Sequence, residues 1–269
     1  MIISIINHSN GKLKDAEIQT VIRAINRQIQ EDYEPYWSLG AALRLEGHTG
    51  KKPQKQSPSD MRGDAVIYIW DKADVNGALG YHDLNNSGIP FGFVFLDIAR
   101  QLGEEWSVTL SHESLELVGD PEVNLLVAGP HPDPSKIRDV FHWYEMCDAV
   151  QSESYAIDGI KVSNFILPLY FTGGDEFDGR NDFLGSSLKS FGVNPGGYVG
   201  FFDPETGDHD TFSKKGDAVA KKRMEIKSKV KGARRAIRYQ RHAQTKQPPK
   251  LAKQETKTDK KYADQVKGK

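Results

Sequence analysis

The sequence predicts an α+β fold over residues 1–213, followed by a basic tail, and three observations lead to this prediction. Residues 2–6 are an apolar run typical of a buried strand. Residues 15–32 carry isoleucine and valine at spacings of three and four, which favours an amphipathic helix with Asp15 as its N-cap. From Lys214 onward the chain becomes strongly basic, which marks a boundary.

Further strands and one long helix complete the first half of the chain. The next strands are predicted at residues 41–46, 65–71, 77–83 and 91–97, with a turn at 85–88 between the last two. Residues 104–118 carry a broad apolar surface and are followed by Gly119 and Pro121, which favour the end of a helix. Residues 51–64 are polar and contain two prolines, so we expect an exposed loop there.

The segment from this helix to residue 213 is predicted to be rich in strands and loops. Aromatic runs at 166–171 and 198–202 favour short strands, and residues 204–207 (Pro-Glu-Thr-Gly) favour a hairpin turn. Few helix signals occur between them.

The tail is predicted to be helical and then disordered. Residues 214–269 hold 20 Lys and Arg against 5 Asp and Glu, whereas the remaining 213 residues hold 16 against 32. Residues 216–244 lack proline and favour one long basic helix, and the polar composition from 247 onward favours disorder. Residues 214–244 are therefore expected to bind nucleic acid or another polyanion, and the alternative is a solvated tail attracted to its own acidic body.

Composition also bounds the chemistry and the location. Cys147 is the single cysteine, so no intrachain disulfide forms and any metal site is expected to use histidine and carboxylate ligands. The N-terminal residues lack a basic leader, and no run of about 18 apolar residues occurs, so neither a signal peptide nor a membrane span is predicted. We expect a cytoplasmic protein, or a virion-associated one if a phage encodes it.

The helix at residues 104–118 contains the string Ser-His-Glu-Ser-Leu-Glu, which predicts a metal site. His112 and Glu116 are four residues apart and so lie on one face of a helix, about one turn from each other. Histidine nitrogen and carboxylate oxygen are both ligands of zinc. Glu113 would lie beside the ion, placed to act as a general base that takes a proton from an attacking water. Because Glu116 adds negative charge, divalent ions other than zinc are also candidates.

The alternative is that such a string arises by chance on an exposed acidic helix. Here, however, the three polar residues interrupt a helix that is apolar on most of its faces. Charges near a core require a partner, and a metal ion is the simplest one, with Arg or Lys as the alternative.

A third ligand is expected downstream, because catalytic zinc sites have three protein ligands and one open position. Glu145 and Asp148 follow about thirty residues later, and Glu122 lies six residues beyond Glu116. Asp120 precedes Pro121 and is expected to cap the helix or to orient a ligand. His142 is a further alternative for the third ligand.

Three strings together resemble a family of bacterial and phage proteins that look like zincin metallopeptidases. The strings are H-E-x-x-E-x-x-x-D-P at 112–121, Y-E-x-C-D at 144–148 and V-S-N-F-x-x-P at 162–168, and the resemblance covers about residues 65–203. The pattern is also similar to that of the secreted plant EXORDIUM-like proteins. The resemblance implies that His112 and Glu116 are metal ligands, that Glu113 is the base and that Glu145 is the third ligand. Asp148 would then orient a ligand or replace one.

The resemblance also implies a zincin-like twisted mixed sheet, in which an antiparallel edge strand lines the cleft beside the metal helix. Either 77–82 or 90–95 could be that edge, and Gly80, Gly88 and Gly92 would allow close approach of a peptide backbone. The alternative is that these glycines only form turns.

Several other histidines and tyrosines are expected to have structural roles. Lone histidines are usually surface or core residues, which applies to His82, His131 and His209. Three tyrosines could donate to an oxyanion but are expected to be packing residues: Tyr144, Tyr155 and Tyr170.

Together these features predict a zinc-dependent or other divalent-metal-dependent hydrolase that acts on peptides or proteins. The alternative is a non-catalytic structural or accessory protein of a phage or bacterium. Such a protein would retain the zincin fold and use the basic tail to bind a polyanion.

Overall fold

The computed structural model describes residues 1–46, 63–73, 79–84, 88–173 and 179–227. The first sheet of the protein has five strands. In the order β2-β1-β3-β5-β4, the first four strands are parallel to one another and β4 is antiparallel to β5 at the edge. The bounds are β1 Ile2–His8, β2 Ala42–Leu45, β3 Ala65–Trp70, β4 Gly80–Leu84 and β5 Pro90–Phe95. The predicted α+β class and the predicted strands of this half are confirmed.

The strands of this sheet are apolar on both faces because both faces are covered. Ile5 and Ile67 belong to the main core, which also contains the buried residues of the first long helix. Tyr68 and Phe93 belong to a second aromatic cluster on the opposite side, with their rings stacked at 5.1 Å. Strands buried on two sides read as continuous apolar runs, which is why the sequence identified them.

The predicted amphipathic helix forms, but its N-cap was predicted wrongly. The helix α1 spans Asp15–Arg27 and buries Ile18 and Ile25. Lys14 occupies the cap position without a side-chain hydrogen bond, and Asp15 instead accepts a hydrogen bond from Asn7 Nδ2 at 2.7 Å. The chain continues through a π-helical turn at Gln28–Tyr33 into the short helix α2, Glu34–Trp37.

Two helices follow the sheet, of which the sequence predicted one. The helix α3, Leu96–Leu102, was missed: the predicted strand at 91–97 ends at Phe95, and α3 then ends at Gly103 with a φ of 70°. The predicted helix is α4, Trp106–Gly119. It is buried on nearly all sides because it packs between strands β4 and β5 of the sheet and the later strand β9, Ile160–Ser163.

The second half forms a four-stranded antiparallel sheet and a separate hairpin. The sheet has the order β11-β10-β7-β6, with β6 Leu126–Pro130, β7 Asp139–Trp143, β10 Tyr198–Asp203 and β11 Asp208–Ser213. The hairpin pairs β8 Ser154–Ile157 with β9 Ile160–Ser163. The predicted turn at 204–207 is confirmed, and Gly207 has a φ of 73°. The strand predicted at 166–171 is wrong, because Pro168 has no amide hydrogen for a ladder and begins a 3₁₀ turn.

The start of the basic tail packs against the body of the protein. The helix α5, Ala218–Lys227, is the first part of the helix predicted at 216–244. Arg223 forms an ion pair with Glu104, and Lys222 Nζ donates to the Gln101 carbonyl at 2.5 Å. The rest of that helix, the predicted disorder after 247 and most of the predicted loop at 51–64 lie outside the described residues, as do residues 85–87 of the predicted turn.

Within the described residues, none of the helices has the length and the apolar character that a membrane crossing requires.

Candidate metal centre

The helix α4 presents His112, Glu113 and Glu116 to a cleft between α4, the edge strand β4 and the four-stranded sheet. Glu113 and Glu116 are only 5% and 3% exposed, and the side chain of His112 is 14% exposed. Carboxylates this far from solvent require a partner to offset their lost hydration. The predicted metal helix therefore carries its polar residues into the protein.

The first group of potential metal-ligand atoms surrounds His112. His112 Nε2 lies 3.2 Å from Glu116 Oε1 and 3.3 Å from Asp148 Oδ1. The backbone amide of Cys147 donates to the same Glu116 oxygen at 3.2 Å. One potential metal-ligand atom from each of His112, Glu116 and Cys147 lies within 4.8 Å of the other two. The predicted ligands His112 and Glu116 are thus brought together, with Asp148 beside them.

The second group contains His82, which the sequence prediction left out of the site. His82 Nδ1 lies 3.3 Å from Glu113 Oε2 and 3.4 Å from Glu116 Oε2. Its other ring nitrogen, Nε2, lies 3.6 Å from Glu145 Oε2. One potential metal-ligand atom from each of His82, Glu113 and Glu116 also lies within 4.8 Å of the other two. Glu145, the predicted third ligand, therefore reaches the cleft through its contact with His82.

Gly80 allows the edge strand β4 to lie directly against the helix α4. A Cβ atom at position 80 would meet Glu113 Oε1 at 2.7 Å and the Phe93 carbonyl at 2.6 Å. Gly92 is less tight, with its nearest contact at 3.2 Å, and Gly88 has a φ of 75° with no atom within 4 Å. Of the three glycines predicted to permit close approach, Gly80 makes room for α4, and Gly88 adopts the left-handed backbone conformation that glycine favours.

The electrostatics of the cleft favour a cation. Burial opposes the charge of His112, but Glu116 and Asp148 outweigh it and raise the pKa of His112 well above its usual value. Burial likewise opposes the charge of His82, and Glu145 and Glu113 outweigh it, so the pKa of His82 is raised. Burial raises the pKa of Glu116 to about 7, against the opposing effect of His112. The raised pKa values of His112, His82 and Glu116 mean that these three groups hold protons more tightly than usual, and a divalent cation would neutralise the carboxylates around them.

Comparison with protein-family models, with curated proteins and with solved structures finds no match. The geometry of the cleft itself therefore has to support any assignment of function.

A buried hydrogen-bond network fixes α4 behind the site. Ser111 Oγ donates to Gln28 Oε1 at 2.6 Å and accepts from the amide of Ser163 at 3.0 Å. Gln28 Nε2 in turn donates to the Ser163 carbonyl at 2.8 Å. Because these residues belong to α4, the π-helical turn and β9, the network sets the position of His112, the next residue of α4.

Asp120 and Glu122 do not line the cleft. Asp120 occupies the predicted C-cap position of α4, with its amide donating to the Glu116 carbonyl, but its carboxylate accepts from the amides of Asn124 and Leu125 at 3.2 and 3.0 Å. Glu122 is exposed and contacts the side chain of Asn124. Both carboxylates therefore act on the loop after α4.

The alternative histidine and the tyrosines also lie outside the lining of the cleft. His142 Nε2 is 2.8 Å from the Pro130 carbonyl, on the buried face of the four-stranded sheet. Tyr155 donates to Asp32, Tyr170 donates to the Gly192 carbonyl, and Tyr144 stacks on a neighbouring phenylalanine. These side chains have structural partners, as expected for packing residues.

The opposite wall of the cleft comes from the tail and the four-stranded sheet. Arg223 lines it, with Nε donating to Glu104 and Nη1 donating to Ser152 Oγ, both at 2.9 Å. Trp143 and Gly200 line it from β7 and β10. The sequence prediction assigned Arg223 to the polyanion-binding tail and gave Trp143 and Gly200 no role, because all three are distant in the chain from the helix motif.

Proposed function

We propose that the protein is a divalent-metal-dependent hydrolase, a metallopeptidase with a zincin-like arrangement of helix and edge strand. One observation carries the proposal: the buried face of α4 that bears His112, Glu113 and Glu116 lies directly against the antiparallel edge strand β4.

We assign His112 and Glu116 as the helical ligands of the ion. Besides Glu116, Asp148 is the carboxylate in contact with His112, at 3.3 Å from Nε2, so we propose it as the ligand that completes the set. Glu145 was predicted in this role, and its contact with His82 Nε2 suits a carboxylate that orients a histidine. Imidazole with carboxylates fits zinc and also manganese. A divalent ion bound there supplies Lewis acidity to the carbonyl under attack.

Glu113 is proposed as the general base. Its carboxylate lies in the cleft beside both ligand groups and takes a proton from the attacking water, then passes it to the leaving amine. His82 Nδ1, at 3.3 Å from Glu113 Oε2, holds the carboxylate toward the cleft. Gly80 lies against the other oxygen of Glu113 and leaves it little room to turn away.

The edge strand β4 is proposed to bind the substrate backbone. In the described part of the chain β4 pairs with β5 alone, and Gly80 to His82 line the cleft. An extended peptide can add to such an edge by main-chain hydrogen bonds. This would bring a peptide carbonyl past Glu113 without requiring a particular side chain at each position.

The proposal is tested with Glu113→Gln and with Glu122→Gln as the matched control. Chelator-stripped protein is reloaded with zinc or manganese, its metal content is measured, and cleavage of a mixed peptide library is followed by mass spectrometry. We expect Glu113→Gln to keep its metal and to lose at least about 100-fold in cleavage rate, because general-base catalysis contributes factors of 10² to 10⁴. The exposed Glu122→Gln variant should match the wild type.

Two outcomes would contradict the proposal. Wild-type protein that binds no divalent metal would exclude a metal-dependent mechanism. Protein that binds metal but cleaves no peptide in the library would favour the non-catalytic structural or accessory role.

A further inference from the structure

The outer face of the four-stranded sheet carries aromatic side chains next to the cleft. Strand register places Phe201 opposite His142 and Phe202 opposite Phe141, so Gly200 lies opposite Trp143 if the same register is continued by one residue. Gly200 is also opposite Thr211 in β11. Side chains alternate between faces, so this row lies on the face opposite the buried His142 and Phe201.

This row is part of the cleft, and the aromatic face continues beyond it. Trp143, Gly200 and Thr211 all line the cleft that also contains the side chains of His112, Glu113 and Glu116. The adjacent row on the same face holds Phe202, which is opposite both Phe141 and His209. Two residues after Trp143 the chain reaches Glu145 in the site.

The rings of this face form a continuous surface. Trp143 stacks on His209 with centroids 5.3 Å apart, and His209 contacts Phe202 at 5.0 Å. Phe141 is 6.5 Å from Phe202 and is 39% exposed. Gly200 contributes no side chain to the row beside Trp143. A half-exposed aromatic surface that continues from a cleft is suited to an apolar group of whatever the cleft binds.

We propose that the row Trp143–Gly200–Thr211 is a specificity subsite that takes a large apolar or aromatic side chain of the peptide substrate. The inference rests on the proposed function for its peptide substrate, and it adds the class of side chain that the cleft selects. Acidic side chains are disfavoured by the neighbouring carboxylates of Glu145 and Asp148.

The inference is tested with capped pentapeptides Gly-Ala-Xaa-Ala-Gly, in which Xaa is Phe, Leu, Ala or Asp. Two readouts are measured on full-length protein: kcat/KM for cleavage by the metal-loaded wild type, and the Kd of each peptide for the Glu113→Gln variant by calorimetry. We expect the Phe and Leu peptides to exceed the Ala peptide at least about 10-fold in both, since a filled apolar pocket discriminates by factors of 10 to 200. The Asp peptide should rank last.

Trp143→Ala should reduce the Phe-to-Ala ratio to within about 3-fold of unity, and Trp143→Phe should restore part of it. The matched control is Ile137→Ala, because Ile137 is apolar, 100% exposed and outside the cleft lining. The Trp143→Phe variant covers the case in which Trp143→Ala fails to fold, as judged by its thermal unfolding.

The possible outcomes distinguish failure of the subsite from failure of the hydrolase. Equal cleavage of all four peptides would overturn the subsite and leave the hydrolase standing. Absent cleavage with a Phe-selective Kd that Trp143→Ala abolishes would support the subsite and overturn the hydrolase. A Kd that does not depend on Xaa, or selectivity unchanged in the Trp143 variants, would overturn the subsite.

Discussion

Replacing Gly80 with alanine tests whether close contact between β4 and α4 builds the site. The added Cβ would lie 2.6 Å from the Phe93 carbonyl, 2.7 Å from Glu113 Oε1 and 2.9 Å from Thr109 Cγ2. Ordinary van der Waals contact begins at about 3.4 Å, so β4 must shift by roughly 0.5–1 Å relative to both β5 and α4. Overpacking of this kind costs about 1–3 kcal/mol in the free energy of unfolding. For a chain of this size we expect a fall in Tm of about 2–4 °C per kcal/mol.

The same displacement should impair the chemistry more than the stability. Glu113 would move relative to His82 and the ligands, and a misplacement of about 1 Å can cost about 100-fold in rate. Tm is measured by circular dichroism and cleavage by peptide assay, with Gly40→Ala as the control. The three atoms nearest to a Cβ at Gly40 all belong to the carboxyl group of the exposed Glu34, which can rotate away. A Gly80→Ala variant with wild-type Tm and wild-type cleavage would refute the proposed role of this contact.

Three further variants probe the frame around the cleft. Ser111→Ala leaves buried partners unsatisfied, including the amide of Ser163, so chemical denaturation should show a loss of about 1–3 kcal/mol. Burial lowers the pKa of His142, so its contribution to stability is present above pH 6.5 and is lost as pH falls through 6.5 toward the folded-state pKa. Stability measured from pH 7 to 5 should therefore fall less steeply in His142→Gln, whose neutral amide can still donate to a carbonyl. Arg223→Gln removes the ion pair with Glu104, so trypsin should cleave residues 214–227 faster, as followed by mass spectrometry.

Each of these three variants has a result that would contradict its prediction, and Ser111→Ala has a matched control. Ser135→Ala removes an exposed hydroxyl that bonds Asp133 and should leave stability within about 0.5 kcal/mol of wild type. A Ser111→Ala variant as stable as Ser135→Ala would contradict the network. An unchanged pH slope in His142→Gln would contradict a neutral buried histidine, and unchanged trypsin cleavage in Arg223→Gln would contradict the anchor.

Local sequence patterns predicted the first sheet and the metal helix because the forces that form them are local or strongly apolar. The strands at Ala65–Trp70 and Pro90–Phe95 are buried on both faces and read as apolar runs. The strands Leu126–Pro130 and Asp139–Trp143 were missed because most of their residues are exposed or half-buried. They pair with each other, and β7 also pairs with β10, more than fifty residues later, which no local pattern reports.

Some residues of the candidate site could also be predicted from local spacing, and others are placed only by the tertiary structure. The helical period alone places His112 beside Glu116, so those residues could be predicted from spacing. His82 joins them only because β4 turns back antiparallel to β5 and Gly80 admits the helix, which are tertiary facts. The signal available in the sequence was a histidine two residues after a glycine in a predicted edge strand. Asp148 and Glu145 were recognised as candidates, but their separation between the two histidines required coordinates.

Metal binding by the full-length chain tests the central claim most directly. Chelator-stripped wild type and the Glu116→Gln variant are titrated with zinc in a calorimeter, because Glu116 is the carboxylate that both histidines contact. We predict saturable binding by the wild type and an affinity at least about 100-fold weaker in Glu116→Gln, since loss even of an orienting partner costs 10- to 100-fold. No saturable binding of zinc or manganese, or equal zinc affinity in the two proteins, would contradict a metal centre on this helix.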